Sequence, residues 1–107
     1  GNGSVDGTYC HLGFKATMII IIRSDSARNH VILDTKRDTF NPVDSFLHPN
    51  LDSSENADSI YDVDFLSNGI KIRNNNATWN ASGGEYFGIA IASNPFVDSN
   101  GVPVTAR

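Results

Sequence analysis

Apolar and polar residues along this chain fall into short blocks whose spacing is that of strands. Residues 16–23 read Ala-Thr-Met-Ile-Ile-Ile-Ile-Arg. Four consecutive isoleucines are stiff at χ1 and suit a pleated surface. A continuous apolar run, in place of alternation, predicts a central strand covered on both faces. Residues 60–66 alternate, with Tyr61, Val63 and Phe65 pointing one way and Asp62 and Asp64 the other. After Ser67-Asn68-Gly69, Ile70-Lys71-Ile72-Arg73 alternates again. Asn-Gly between two alternating runs predicts a hairpin of 60–66 with 70–73. Residues 85–92 predict one more strong strand. Phe87, Ile89 and Ile91 share one of its faces; Gly88, Ala90 and Ala92 share the other and are small enough to let another layer approach. Shorter strands are expected at 8–14 and 30–33.

The remaining segments are polar and punctuated by Gly, Pro and Asn. Residues 1–7 read as a turn or linker, 24–29 as a turn and 74–84 as a polar loop. Residues 35–59 read as a long irregular excursion with one helical turn near Val43–Leu47. A connection of that length is uncommon in a small domain unless it is functional or covers something. The tail from 93 to 107, with Pro95 and Pro103 and no strand pattern of its own, is expected to be extended or ordered by a neighbour. No apolar repeat at helical spacing and no internal repeat occurs. The fold class this predicts is all-β: an antiparallel β-sandwich or jelly roll with long irregular loops, forming one domain over 1–107.

Length then limits the core. A chain of 107 residues buries roughly two-thirds of its unfolded surface, enough for a modest core but not for a core plus a deep substrate cleft. The chain starts Gly-Asn-Gly in place of Met and is expected to be a fragment or the C-terminal part of a longer protein. The formal charge is -4 and the basic residues are scattered, so no patch suited to a nucleic-acid backbone forms and no nucleic-acid partner is expected. No apolar run approaches the ~18 residues of a membrane span, so no membrane insertion is expected. The single cysteine, Cys10, cannot close an internal disulfide and is expected as a small buried residue in a strand. Three sequons, at Asn2, Asn76 and Asn80, matter only in a eukaryotic secretory pathway.

Candidate chemistry is sparse. His11, His30 and His48 lack the spacing of a zinc site. Asp52, Glu55, Asp58, Asp62 and Asp64 could in principle serve calcium, but they match no EF-hand loop and fit a solvated face better. Glu55 and Glu85, the only glutamates, carry no sign of facing each other as a glycosidase pair. No serine-nucleophile signature is present. No catalytic residue, metal or cofactor is therefore expected, and the chain is read as no enzyme. The candidate binding residues are Trp79 and Tyr86 with the amides of Asn76 and Asn80. Trp79 among amides could stack a sugar of a host-surface glycan. It could equally plug the end of the sandwich or a subunit interface, and the rule that Trp is mostly buried favours packing.

A series of short motifs adds a further expectation. Gly1-Asn-Gly-Ser-x-Asp-Gly7, Gly13-Phe14-Lys15, the stretch from Ile20 to Asp25, Val31-Ile-Leu-Asp34 with Lys36-Arg37-Asp38, Asp64-Phe-Leu-Ser-Asn-Gly69, Asn80-Ala-Ser-Gly-Gly84, the stretch from Ala90 to Phe96 and the ending Gly101-Val-Pro-x-Thr-Ala-Arg107 follow in order. Together they resemble a domain common in virion proteins of tailed phages, similar to concanavalin-like and SPRY-like β-sandwiches and often C-terminal in a longer protein. The resemblance implies a virion structural protein of the tail-fibre, head-fibre or capsid-decoration type. Its partners would be other virion subunits in a homo-oligomer, a trimer if it is a fibre. The alternative is a carbohydrate-binding module that recognises a host-surface glycan. The resemblance brings no catalytic residues with it.

Overall fold

The computed structural model describes residues 1–94 and 96–104. Three strands, β1 (Tyr9–His11), β6 (Val63–Leu66) and β7 (Gly69–Ile72), form one antiparallel sheet in the order β1-β7-β6. Five more form a second sheet: β2 (Ala16–Arg23), β3 (Val31–Asp34), β4 (Ser45–Leu47), β5 (Asn56–Ala57) and β8 (Tyr86–Ala92), in the order β5-β4-β3-β2-β8. A short hairpin pairs β9 (Phe96–Val97) with β10 (Pro103–Val104). The only helical pieces among the described residues are a 3-10 turn at Ser59–Tyr61 and one turn at Ala77–Asn80. The chain is thus an antiparallel, almost all-β fold in which β6 and the 77–80 turn lie over β2.

The isoleucine run is flanked on both sides, by β3 and β8, as its sequence predicts. Pairing puts Ile19 between Leu33 and Ala90, and Ile21 between Val31 and Gly88. Ile19, Val31 and Leu33 are buried there, opposite Val63, Phe65, Ile70 and Ile72 of the smaller sheet. Aromatic rings close one end of the core. Tyr61 meets Phe46 edge-on at 4.5 Å and Trp79 at 5.5 Å, the offset geometry that ring quadrupoles favour.

The predicted hairpin forms, with Leu66 opposite Gly69 across Ser67-Asn68. Its glycine serves a different purpose from the one the Asn-Gly signal implies. Among the described residues no non-glycine residue has positive φ, and Gly69 is not among the glycines that do, so the turn is not of the primed type. A Cβ on Gly69 would instead clash with the Cys10 carbonyl oxygen; the glycine lets β1 close onto β7. The strand expected at 60–66 is shorter at its start. Asp58 caps the Ser59–Tyr61 turn by accepting from Ile60 N–H, and regular pairing begins at Val63.

The 35–59 excursion is more ordered than its composition suggests. The helical turn expected at Val43–Leu47 is instead β4, because Phe46 pairs opposite Leu33 and is buried. Three polar devices fold the excursion down. The Asn41 carboxamide both donates to Phe65 C=O and accepts from Phe65 N–H, each at 2.9 Å, so it acts as one more rung on the edge of β6. Val43 bridges Val63. The Asp38 carboxylate accepts from Asp44 N–H at 3.0 Å and from Ser45 N–H and Oγ at 2.6 and 2.9 Å.

Three further expectations are corrected. Cys10 lies in a strand but is exposed, because β1 is an edge. The outer face of β2, expected to be covered, is only half-covered: Met18, Ile20 and Ile22 are half-buried. Part of the tail, expected to be without strands, makes the β9–β10 hairpin, with Asp98 accepting from Asn100 and Val102 N–H groups across its turn; Pro95 and residues 105–107 lie outside the described residues.

Burial by itself would raise the Asp38 carboxyl's pKa, but the Ser45 and Asp44 donors outweigh it and hold the group below the ordinary carboxylate value of 3.8. A carboxyl whose folded pKa is depressed stabilises the fold above its unfolded pKa and loses that contribution as pH falls through the folded one. Asp38→Ala is therefore expected to lower stability by about 1–3 kcal/mol at neutral pH. Urea melts at several pH values should show the gap to wild type narrowing below about pH 4.

Candidate functional site

The residues singled out in the sequence do converge, around the loop from 74 to 86, but on the chain itself. Asn76 caps the 77–80 turn by accepting from Thr78 N–H at 2.8 Å. That turn swings Trp79 inward, where it is 2% exposed and its indole N–H donates to Asn74 Oδ1 at 2.9 Å. Asn80 is fully buried. Its Nδ2 hydrogens are shared among Asn2 Oδ1, Ser4 C=O and Asn74 C=O at 3.0, 2.9 and 2.8 Å. Its Oδ1 accepts from Asn2 N–H at 3.0 Å, and its backbone C=O accepts from Gly3 N–H at 2.8 Å. The Tyr86 hydroxyl accepts from Ala81 N–H at 2.7 Å and donates to Ala77 C=O at 3.2 Å.

This network ties the 1–8 segment to the end of the sandwich. Of the two readings of Trp79, its burial matches the packing one; an open stacking platform is not formed, because both the ring and the Asn80 amide are withdrawn from solvent. The polar loop at 74–84 hid this arrangement. Asn at 74, 76 and 80 looks like a solvated loop until the 77–80 turn brings the three amides to the same place.

The other candidates are dispersed. Glu55 precedes β5 and pairs with Arg37 at 2.9 Å, whereas Glu85 precedes β8. These strands are the opposite edges of the larger sheet, four strand spacings apart, or about 19 Å at ~4.8 Å each. A glycosidase pair stands ~5–10 Å apart. His48 Nδ1 lies 2.7 Å from His30 C=O, and the His48 ring sits edge-on to Phe46 and Tyr61. Among the described residues no group of three or more His, Cys, Asp or Glu is placed to hold a metal ion. No helix among them is long and apolar enough to cross a membrane.

One carboxylate is placed at a cost. Asp62 Oδ1 is buried without a hydrogen-bond partner, and burial, then the nearby Asp44, Asp58 and Asp64, push its pKa above 3.8.

Two surface features remain, both on β8. Its outer side chains Phe87, Ile89 and Ile91 are 56%, 56% and 43% exposed, and register sets them beside Ile22, Ile20 and Met18 of β2. Ile32 and Leu47 extend the same face across β3 and β4. On its inner side a cleft of about 440 Å³ opens between the edge strands β1 and β8. Leu12, Ile21, Ile70, Ile72, Tyr86 and Ala90 are among its lining residues, and Cys10 stands at its wall.

Fold and site together define a two-sheet β fold whose polar cluster is bonded within the chain and whose β8 flank is apolar. The chain belongs to the DUF7483 family, a domain of unknown function, which it matches over residues 1–95. Neither a curated protein nor a solved structure matches it.

Two predictions test the site. Asn80→Ala strands several buried donors and acceptors at once and should cost about 1–3 kcal/mol or more, while Trp79→Ala should cost about 3–5 kcal/mol. Chemical denaturation followed by circular dichroism measures both; an Asn80→Ala loss within 0.5 kcal/mol would show that the network is not structural. Asp62→Asn should stabilise the fold by up to about 1 kcal/mol at pH 7. The raised folded pKa of Asp62 means its destabilising charge appears as pH rises through that pKa. The advantage of Asp62→Asn should therefore fade as pH is lowered into the acid range; the cost of Asp38→Ala fades there too, but the two effects have opposite sign.

Proposed function

We propose that this domain is a non-catalytic building block of a tailed-phage particle, an appendage module of the tail-fibre, head-fibre or capsid-decoration type. The observation that carries the assembly half of this reading is the outer face of the larger sheet. Isolated apolar residues on a surface need no explanation, but a contiguous row does. Phe87, Ile89 and Ile91 stand half-exposed on one strand beside a second row from β2. Burying such a face against another subunit contributes about 25 cal/mol per Å² of apolar surface. The virion half rests on the ordered motif series from Gly1-Asn-Gly to Gly101-Val-Pro, which resembles virion proteins of tailed phages. A homo-oligomer packed through these faces inside the particle fits both, with the virion as its location.

Other features fit a structural role. Several ionisable groups are paired within the chain: Arg37 with Asp34 and Glu55, Lys71 with Asp6, and Arg73 with Asp64. The glycan-binding alternative loses its motivation where Trp79 and Asn80 turn inward.

Mass spectrometry of purified particles tests the virion reading: the protein is expected at a fixed copy number per particle, and its absence from particles that are otherwise complete would overturn it. Light scattering on the full-length protein tests the assembly reading. Wild type should form an oligomer at micromolar concentration, and Phe87→Ser with Ile89→Ser should lower the assembly state while leaving the circular dichroism spectrum unchanged.

A further inference from the structure

Strand β8 has the composition of an inner strand and the position of an outer one. Residues 86–92 read Tyr-Phe-Gly-Ile-Ala-Ile-Ala, without a charge or a proline. Strands apolar on both faces belong inside a sheet, yet among the described residues β8 is terminal and pairs only with β2. Natural edge strands are kept very short, charged, bulged or covered, because a bare edge offers its unpaired N–H and C=O groups to other chains. At seven residues β8 is long for an edge. Among the described residues, nothing but β2 bonds to the backbone of residues 87–92.

The apolar cleft lies beside this same edge. On the β8 side it is lined by Tyr86, Phe87 and Ile89 together with the small residues Gly84, Gly88 and Ala90, and opposite them stand Leu12, Ile70 and Ile72. Gly84, Gly88 and Ala90 leave space that no side chain among the described residues fills. At about 440 Å³ the space is roughly three times the ~150 Å³ of a cavity that accepts one benzene, room for about three apolar side chains. An added strand projects side chains onto one face every second residue, ~6.7 Å apart, so five residues would deliver three of them.

We propose that the β8 edge and the cleft form one acceptor site for an extended, uncharged polypeptide strand donated by a partner protein. The donated strand becomes the sixth strand of the larger sheet and inserts three alternate apolar side chains into the cleft. Strand addition of this kind takes affinity from main-chain hydrogen bonds and specificity from pockets for alternate side chains. A small apolar ligand would fill the cleft but leave the edge amides and carbonyls unpaired. A second copy of β8 would pair with the edge, yet its inner face carries only Tyr86, Gly88, Ala90 and Ala92 and would leave the cleft largely empty. The other bordering edge, β1, is three residues long and too short to hold a strand alone. The proposal is independent of the virion reading.

The test uses the full chain and a capped heptapeptide, Thr-Leu-Thr-Leu-Thr-Leu-Thr. Controls are the same peptide with alternate backbone amides N-methylated, so that one edge cannot pair, and a peptide of equal composition with its leucines contiguous. Hydrogen exchange at β8 reads strand pairing, and alkylation of Cys10 by a maleimide reads occupancy of the cleft. The alternating peptide is expected to slow exchange at alternate β8 amides and to slow Cys10 alkylation at least tenfold, whereas both controls do neither. Ala90→Leu, which fills the cleft from within, should weaken the peptide's effect on Cys10 while the variant remains folded. Protection of Cys10 without protection of β8 would overturn the proposal in favour of an apolar ligand pocket. No effect of the alternating peptide on either readout would overturn it outright. Protection of β8 in the free chain, with dimers by light scattering that Ala90→Leu leaves intact, would overturn it in favour of edge-to-edge self-association.

Discussion

One fully buried carboxamide, that of Asn80, holds the polar end of this domain together. A buried amide that lost its partners would cost more than a typical hydrogen bond returns, so each group around it is constrained by the rest. Asn80 reaches Asn2, Ser4 and Asn74 and thereby joins a segment at one end of the sequence to a loop more than seventy residues away. The 77–80 turn that presents Asn80 also presents Trp79 to Tyr61, so the aromatic end of the core and the polar network are set by the same turn. Without this closure β1 would lose the segment that leads into it, and the smaller sheet would be left as a hairpin, marginal by itself in water.

The charged residues follow a similar logic of local closure. Asp38 folds the start of β4 back on itself, Asp34 and Glu55 share Arg37, and Asp58 caps a turn. Such pairs add little each where they are exposed; their effect is to give a long polar excursion a single path. Asp62 is the exception. It is pressed among carboxylates with a buried oxygen unpartnered, which costs stability and marks a position where the backbone path from the 3-10 turn into β6 outweighs the electrostatics of the side chain.

The larger sheet is finished on one side and open on the other. At the β5 edge the chain is polar and short; at the β8 edge it is apolar and long, with a half-exposed outer face and an unfilled cleft on its inner one. A monomer in water gains nothing from that asymmetry. The coverings proposed above, a layer over the outer face and a strand along the edge, would account for it.

Strand content was legible from the residues alone, because period-two alternation at 61–65 and the isoleucine run at 19–22 leave little choice of local structure. Central placement of β2, the hairpin of β6 with β7 and the two-faced character of β8 followed from the same patterns. The rest depended on contacts between residues distant in sequence, which no local pattern encodes. Phe46 draws Ser45–Leu47 into a strand only because Leu33 lies beside it. Gly69 is required by the approach of Cys10, not by the turn that its Asn-Gly context advertises. Asn76, Trp79, Asn80 and Tyr86 were recognisable as a group with a shared purpose, but an amide's hydrogen-bonding groups serve a ligand or a backbone equally well. Only the fold, by burying Asn80 and Trp79, showed that these two bond and pack within the chain. That β8 ends the sheet was likewise a tertiary outcome: sequence determines that both faces of a strand are apolar, whereas what covers those faces depends on which other strands exist to do so.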